Sequence, residues 1–224
     1  MDTDLQTNVV YQRIRGMIID GSFPLGSKIS ESLLAATLQA GRAPVRDALK
    51  ILQTEKLVER KRRSGTYVFS LQQEEFDELL KFRYVMETQA LLLYSSRELA
   101  TLAKSLDEIR QQMSTAFASA DISGYLKLDS RFHATLVESC HNRYFVDSYR
   151  SIVPIMDTLR NYLGYNLQHL KRSLQQHEEI EQALEEKNPT LAADLLAKHI
   201  LPEHGAYWKK SNLTTRSTLS NLAS

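Results

Sequence analysis

The sequence has a single cysteine, Cys140, among its 224 residues. One thiol excludes any disulfide bond within the chain, so this composition is typical of a protein from a reducing compartment. We expect the Cys140 thiol to be packed and inert rather than to act as a redox sensor. Cysteines on helical stretches usually behave as small apolar side chains.

The sequence also has no apolar run of the roughly 20 residues that a membrane-spanning helix needs. Its first eight residues are polar and acidic, which is wrong for a signal peptide. We therefore expect a soluble, cytoplasmic protein with no membrane partner.

Net charge is nearly absent, at +1, but the charges are unevenly distributed. Residues 1–70 hold 11 Lys and Arg against 7 Asp and Glu, whereas the remainder holds 17 against 20. A basic N-terminal part joined to an acidic C-terminal part favours a DNA-binding domain attached to a domain with another task. The chain is long enough for two such domains.

Two short predicted helices flank Gly41, which should end the first of them. The first helix begins after Ser30, a residue type that caps helix N-termini well. Leu33, Leu34 and Leu38 give this helix the spacing of a buried apolar side. The pattern predicts the first half of a helix-turn-helix motif.

The second helix is predicted to run from Arg42 to about Glu55, with Pro44 in its first turn, where proline is tolerated. Arg42 and Arg46 are four residues apart and therefore share one face near the N-terminal end. Such a pair is typical of a recognition helix that enters the major groove of DNA. Taken alone, two arginines are more often solvated surface charges.

A predicted β-hairpin follows the second helix and favours DNA contact over a solvated surface role for the two arginines. Residues 57–60 and 66–69 have the composition of short strands, and residues 61–65 join them. Ser64 and Gly65 allow a tight turn, and the basic run before them suits contact with phosphates. A helix-turn-helix followed by a basic hairpin predicts a winged helix that binds DNA.

Beyond this region the sequence has almost no glycine and no strand-like alternation, which predicts a mainly α protein. We expect a winged helix-turn-helix in residues 1–70, a linker in 71–74, an antiparallel all-helical domain of about six helices in 75–210 and a disordered tail in 211–224. Pro154 should kink or split the fourth helix of the second domain. The helices are predicted near residues 9–20, 73–95, 98–118, 122–139, 143–165, 168–187 and 189–209.

Four residues of the second domain form a predicted metal site. Asp129 and His133 are four apart on one helix and project from the same face. His177 and His199 each lie 11 residues from Asn188, which with Pro189 forms the short connection between the last two helices. Equal rise along two antiparallel helices puts both histidines at one level. Three imidazoles and one carboxylate suit a divalent transition metal.

The alternative for any single histidine is a surface or hydrogen-bonded role, and an Asp-x3-His pair is common in helices. Spacing assigns no site role to the other three histidines of the sequence, His141, His169 and His204.

The run from Tyr11 to Val68 resembles the N-terminal domain of the GntR family of bacterial transcription regulators. The matching segments are Phe23-Pro24-Leu25-Gly26-Ser27-Lys28-Ile29-Ser30-Glu31, Gly41-Arg42-Ala43-Pro44-Val45-Arg46-Asp47-Ala48-Leu49, Glu55-Lys56-Leu57-Val58 and Ser64-Gly65-Thr66-Tyr67-Val68. The resemblance implies that Arg42 and Arg46 contact the operator and that Gly65 sits at the wing tip in the minor groove.

This sequence departs from the family pattern at two positions. Gly41 stands where the family commonly has Ser or Thr, and Ser32 stands where some members have arginine. We expect Arg42 to read a base edge, with guanine as the base that suits the bidentate geometry of arginine, and the basic wing to supply salt-dependent affinity for the DNA backbone. The predicted DNA-contacting set is Arg42, Arg46, Ser32, Gly41, Arg62, Arg63, Ser64 and Gly65.

Residues from about Glu74 to Trp208 resemble the FCD effector-binding domain of the FadR branch of GntR regulators. The matching segments are Phe82-Arg83-Tyr84-Val85-Met86-Glu87, Asp129-Ser130-Arg131-Phe132-His133, His177-Glu178-Glu179-Ile180 and Ala197-Lys198-His199-Ile200. The resemblance implies that Asp129, His133, His177 and His199 bind a metal such as zinc or nickel. It also implies that open positions on that metal take the carboxylate of an effector.

Arg83 matches a family position that often reaches the ligand, and a guanidinium there would clamp a carboxylate with two parallel hydrogen bonds. Tyr84 and Asn142 are further candidates for effector contacts. The alternative for Arg83 is an i, i+4 pair with Glu87 on the helix surface.

The sequence therefore predicts a homodimeric, ligand-responsive transcription factor, with repression as the expected mode, and not an enzyme. The partners implied are double-stranded operator DNA and a small carboxylate effector. Two alternatives stay open. The first is a regulator with a bulkier, metal-independent effector, and the more remote second is an enzyme whose metal activates water.

Overall fold

The structure, a computed structural model, describes residues 3–163 and 166–204. These residues form two compact units, and the chain passes from the N-terminal unit to the C-terminal unit between Leu71 and Gln72. The tail predicted for residues 211–224 lies outside the described residues.

The N-terminal unit is a helix-turn-helix with a small antiparallel sheet, as predicted. The sheet has the strand order β1-β3-β2, with Lys28 opposite Tyr67 and Lys61 opposite Gly65. The two-residue strand β1 adds one strand to the predicted hairpin. The elements are α1 (Thr3–Ile19), β1 (Lys28–Ile29), α2 (Glu31–Thr37), α3 (Arg42–Thr54), β2 (Val58–Lys61) and β3 (Gly65–Val68).

One predicted core residue of this unit is wrong. Leu34 and Leu38 are buried, but the side chain of Leu33 is 66% exposed. Residues four apart share a helix face, whereas neighbours such as Leu33 and Leu34 point about 100° apart. The short helix α2 buries only one face, so it cannot cover both leucines.

The C-terminal unit is entirely helical in its described part, which confirms the predicted fold class. Pro154 divides the fourth predicted helix as expected, since α7 ends at Arg150 and α8 begins at Val153. The elements are α4 (Gln73–Leu91), α5 (Ser96–Ala118), α6 (Ile122–Glu138), α7 (Arg143–Arg150), α8 (Val153–Leu163), α9 (Leu167–Glu185), α10 (Pro189–Ile200) and a 3₁₀ turn at Pro202–His204.

Helix α6 lies at the centre of the bundle and contacts α4, α5, α7 and α8. Helix α9 packs against α5 and α10, and α10 returns to pack against α4. Asn188 caps α10 through its side chain and Pro189 occupies the first turn, so α9 and α10 are joined by a short connection. This arrangement brings inward faces of α4, α6, α9 and α10 together.

None of the helices in the described ranges is long and apolar enough to cross a membrane.

Candidate metal centre and nucleic-acid interface

The first two turns of α3 present Arg42 and Arg46 to solvent. Gly41 is the N-cap of α3 and contributes no side-chain capping bond. Pro44 is buried and anchors the first turn in the core. The Arg46 Nε lies 3.5 Å from the Glu31 Oε2, a long and exposed contact that leaves the guanidinium accessible to an anionic partner.

Ser32 lies on α2, exposed, with its Oγ 3.1 Å from the Oγ of Ser30. The Ser30 Oγ also accepts a hydrogen bond from the Leu33 backbone N–H at 3.3 Å, so Ser30 is the predicted N-cap. Ser32 therefore has a hydroxyl beside the helix N-terminus, where backbone N–H groups favour anions.

The hairpin turn between β2 and β3 is closed by a hydrogen bond from the Ser64 N–H to the Lys61 carbonyl. Arg62 and Arg63 lie in this turn, and both are exposed. Gly65 follows the turn as the first residue of β3. Its φ of +124° is unfavourable for other residues, and a Cβ there would lie 3.0 Å from the Lys28 Cε.

The Ser64 Oγ and the Tyr67 hydroxyl are 2.7 Å apart, and the Lys61 Nζ lies 4.9 Å from the centroid of the Tyr67 ring. The wing is thus a narrow basic hairpin supported by an aromatic side chain.

The four predicted metal ligands come together in the C-terminal unit. Asp129 and His133 lie on α6, His177 on α9 and His199 on α10, and all four are buried. The Nε2 atoms of His133 and His199 are 3.1 Å apart, and those of His177 and His133 are 3.2 Å apart. One donor atom from each of the four residues lies within 4.8 Å of the others.

The outer nitrogens of two rings fix where their hydrogens are. The His133 Nδ1 lies 2.8 Å from the Glu87 Oε2, and the His199 Nδ1 lies 3.0 Å from the Gln176 Oε1. Both oxygens are acceptors, so each Nδ1 donates and each neutral ring directs an Nε2 lone pair inward. Among the described residues, the buried Nδ1 of His177 has no hydrogen-bond partner.

Burial keeps the three imidazoles neutral. Burial, opposed by the charge of Asp129 and assisted by those of Arg83 and Arg160, lowers the pKa of His177 to about 4. Burial also holds the pKa of His133 well below its ordinary value, and the charge of Arg83 adds to this effect. The pKa of His199 is likewise well below its ordinary value because of burial and the neighbouring His177. Neutral rings are the protonation state in which histidine binds metals.

Asp129 remains ionised because cations surround it. Burial alone would raise its pKa, but the charges of the Arg160 guanidinium and, more weakly, of Arg83 hold the pKa below its ordinary value. The Arg160 Nε donates to the Asp129 Oδ2 at 2.6 Å, and a second guanidinium nitrogen donates to Asp157 at 3.0 Å. The other Asp129 oxygen, Oδ1, faces the His177 Nε2 at 3.6 Å.

The donor set fits a divalent cation. Three inward ring nitrogens hold at most one hydrogen, on His177, so lone pairs face one another without a cation between them. A cavity of about 20 Å³ borders Asp129 and His199, which is enough room for one water molecule or ion. Neutral imidazoles with one carboxylate are ligands that zinc and nickel accept.

Arg83 and Glu87 form a pair, but not on the helix surface, as the alternative prediction had it. Both side chains are fully buried, and the Arg83 Nε donates to the Glu87 Oε1 at 2.7 Å. The Tyr149 hydroxyl donates to the same oxygen at 2.7 Å. Burial, together with the charge of Glu87, raises the pKa of Tyr149 well above its ordinary value, so the hydroxyl keeps its proton.

The other two candidate effector residues lie in different surroundings. Tyr84 is half-buried on α4, and its carbonyl accepts a hydrogen bond from the Thr88 hydroxyl. The Asn142 side-chain oxygen accepts the backbone N–H groups of Tyr144 and Phe145, so this residue serves as the N-cap of α7. Helix capping by itself explains an asparagine at this position.

Sequence reasoning missed three residues that support the cluster, namely Glu87 as the partner of His133, Gln176 and Arg160. Gln176 precedes His177, and Arg160 lies i+3 from Asp157, but neither spacing distinguishes a buried partner from a surface residue. A signal for Glu87 was its i, i+4 spacing from Arg83. Only the packing of α4 against α6 shows that this pair is internal.

Comparison with known families assigns both units. Residues 6–68 match the family described as bacterial regulatory proteins, gntR family, and residues 78–201 match the FCD domain. The FCD match alone spans more than half of the chain.

Whole-chain relatives agree with these matches. The gluconate operon transcriptional repressor of Bacillus licheniformis is 30% identical over 80% of this chain and 75% of its own length. An uncharacterized HTH-type transcriptional regulator of Bacillus subtilis, YdhC, is 27% identical over 84% of this chain and 85% of its own.

Among solved structures, a putative transcriptional regulator GntR from Rhodococcus sp. RHA1 superimposes with a TM-score of 0.75 at 26% identity. The match covers 90% of this chain and 99% of the other.

Proposed function

This chain belongs to the GntR family of bacterial regulatory proteins and carries an FCD domain, and from that premise we propose that it is a metal-dependent transcriptional repressor. DNA binding and regulation follow from the family, whose members matched here are regulators and not enzymes. The dimeric state, the metal, the carboxylate effector and membership of the FadR branch are parts of the proposal.

The observation that carries the proposal is the convergence of Asp129, His133, His177 and His199 in the C-terminal unit. These four residues would hold one divalent transition metal, for which we propose zinc or nickel. When bound, the metal supplies a Lewis-acidic centre that attracts an anionic oxygen. Asp129 contributes one negative charge, and the imidazoles contribute neutral nitrogen donors.

A small carboxylate is the effector class that the charges around the cluster favour. Arg83 and Arg160 are buried cations near the histidines, and the charge of each lowers the pKa of His177. The relative from Bacillus licheniformis is a gluconate operon repressor, so gluconate is the first effector to test.

The DNA-binding surface is proposed to consist of α3 and the wing, with Arg42 and Arg46 at base edges and Arg62 and Arg63 at phosphates. Gly41, Ser32, Ser64 and Gly65 would allow close approach to the DNA backbone. One small winged helix buries too little DNA for selectivity, so we propose a homodimer that reads two half-sites.

Effector control requires that the effector bind the DNA-bound and DNA-free arrangements of the protein with different affinities. An effector that bound equally well to the DNA-bound and DNA-free arrangements would shift neither. We propose that the carboxylate binds the DNA-free arrangement more tightly, so that its arrival weakens operator binding.

The first test is elemental analysis of untagged protein, beside a His133→Ala variant. We expect about one zinc or nickel ion per chain in the wild type and none in the variant. Lys104→Ala, an exposed charge removed from α5 of the same unit, is the matched control and should keep its metal. Wild-type protein that stays metal-free after incubation with zinc, nickel and manganese would leave only a regulator with a metal-independent effector.

The second test concerns DNA and effector together. Operator sequences are selected from a random DNA library with the wild-type protein, and affinity is then measured by fluorescence anisotropy with and without gluconate. Release of the DNA by gluconate in the metal-loaded protein, and not in His133→Ala, supports the whole proposal. Release that is equal in both proteins contradicts the metal-bound effector.

A further inference from the structure

Glu87 accepts three hydrogen bonds, and they are divided unequally between its two oxygens. Oε1 accepts the Arg83 Nε–H and the Tyr149 hydroxyl, each at 2.7 Å. Oε2 faces only the His133 Nδ1 among the hydrogen bonds of the described residues, at 2.8 Å. All four side chains are buried, so bulk water does not compete for these positions.

This division determines the tautomer of His133. A carboxylate oxygen accepts and cannot donate, so the ring must carry its hydrogen on Nδ1. The lone pair of the neutral ring then lies on Nε2, which points at His177 and His199. Without that constraint, the two tautomers of a neutral imidazole are close in energy, and only one of them can bind a metal through Nε2.

The three histidines have different outer partners. His133 has a carboxylate, His199 has the neutral amide oxygen of Gln176, and the Nδ1 of His177 has no partner in the described residues. An anionic acceptor on the far side of an imidazole makes its metal-facing nitrogen more basic. His133 is therefore the ring whose orientation and donor strength depend most on its neighbour.

We propose that Glu87 is the positioning residue that commits His133 to the tautomer in which Nε2 faces the metal. The inference rests on the metal-dependent function proposed above and adds a residue, on α4, that the ligand set does not include. Glu87 touches neither the metal nor the effector and acts only through the His133 ring.

The sharpest variant is Glu87→Gln, which has almost the same shape. The Arg83 Nε–H and the Tyr149 hydroxyl both require an acceptor at the Oε1 position, so the amide oxygen of the glutamine stays there. The NH₂ group is then forced to the Oε2 position and donates to the His133 Nδ1. The ring must now carry its hydrogen on Nε2, where it blocks the metal.

The first measurement is made on metal-free wild-type protein. ¹⁵N chemical shifts of the histidine rings distinguish a protonated Nδ1 from a protonated Nε2. We expect His133 to carry its hydrogen on Nδ1 in the wild type and on Nε2 in Glu87→Gln. A wild-type His133 with its hydrogen on Nε2 would overturn the inference, whether or not any metal binds.

The second measurement is metal affinity, by competition of zinc against a chromophoric chelator. Loss of an outer-shell partner usually costs about 10–100-fold, and we expect Glu87→Gln to lose about 100-fold because it also reverses the tautomer. Glu181→Gln is the matched control, since Glu181 is another buried carboxylate paired with an arginine, Arg110. Its affinity should stay within about threefold of the wild type.

Gln176→Glu distinguishes a tautomer effect from general sensitivity to charge. A carboxylate at this position still accepts from the His199 Nδ1, so the affinity should be kept or raised up to about tenfold. A 100-fold loss in this variant, or wild-type affinity in folded Glu87→Gln, contradicts the role of Glu87. Wild-type protein that binds no metal refutes the proposed function instead, and the ring shifts still test Glu87.

Discussion

Among the described residues, the N-terminal unit buries none of its charged side chains, whereas the C-terminal unit buries five of them together with three histidines. The exposed arginines of α3 and the wing have only long or solvated contacts. The buried charges Arg83, Glu87, Asp129 and Arg160 each have short, direct partners. Exposed charged side chains can pair with DNA phosphates, but buried charged side chains need partners within the protein.

The difference predicts that DNA binding and the proposed metal binding respond to different variables. Binding through exposed charges falls with salt concentration, because phosphate contacts release counterions. Binding through a buried cluster is screened little by salt and depends on protonation instead. The comparison can be tested by changes that act on one unit and leave the other intact.

The largest effect is expected for Arg83→Ala in metal-free protein. The variant leaves Glu87 buried without its cation, which should cost about 3–5 kcal/mol of the free energy of unfolding of the C-terminal unit. Lys50→Ala, which removes an exposed pair with Asp47 in α3, should cost less than about 1 kcal/mol. Urea denaturation followed by circular dichroism measures both, and equal losses would erase the contrast between the units.

The second effect is a pH dependence confined to the C-terminal unit. The pKa of His177 is about 4 in the folded state against an ordinary 6.5. Between these two pH values the ring is protonated in the unfolded chain but neutral in the folded unit. Stability contributed by this ring is therefore complete above about pH 6.5 and falls as the pH drops toward 4, by roughly 3 kcal/mol.

His133 and His199 shift in the same direction, so they steepen the decline. The N-terminal unit has no histidine and serves as the internal control. Metal-free protein unfolded in urea at several pH values provides the measurement, and a C-terminal unit equally stable at about pH 4.5 and 7 would contradict neutral burial of the rings.

The third effect is loss of DNA affinity without loss of stability. Arg46→Ala should weaken operator binding by about 1–3 kcal/mol, or roughly 5–150-fold, because an arginine contact to a base edge is removed. Its free energy of unfolding should change by less than about 0.5 kcal/mol, since the side chain is exposed. Fluorescence anisotropy and urea denaturation separate the two, with Lys50→Ala as the control on the same helix.

The smallest effect concerns the wing. Arg62→Ala should weaken binding to all DNA sequences alike and reduce the slope of log K against log salt by about 0.9, the share of one phosphate contact. Lys104→Ala in the C-terminal unit should leave the slope unchanged. A change in sequence preference on Arg62→Ala would instead place this side chain at a base.

The sequence predicted the ligand cluster because regular helices convert spacing into position. Equal distances from the Asn188-Pro189 connection placed His177 and His199 at one level, and the i, i+4 spacing paired Asp129 with His133. Pro154 was recognisable as a helix break for a similar reason, because its ring prevents a helix from continuing through it whatever packs around it. These predictions needed only backbone geometry.

The errors occurred where contacts with neighbouring helices or strands determine whether a residue is buried or paired. Leu34 shares a face with Leu38 and Leu33 does not, but in a seven-residue helix only the packing of α2 shows that it is this face that is buried. The strand β1 consists of two residues and exists only because β3 lies beside it. The Arg83–Glu87 pair has the spacing of a surface ion pair, and only the contact of α4 with α6 turns it inward.

The four residues of the cluster span 71 positions of the chain, from Asp129 on α6 to His199 on α10. A ribosome that adds about 5–20 residues per second completes the helix-turn-helix and wing roughly ten seconds before it supplies the last ligand. During synthesis, the DNA-binding segment is therefore finished well before the segment that we propose controls its release. In a bacterium, where transcription and translation share one compartment, a nascent chain would therefore expose its complete winged helix before its proposed control site exists.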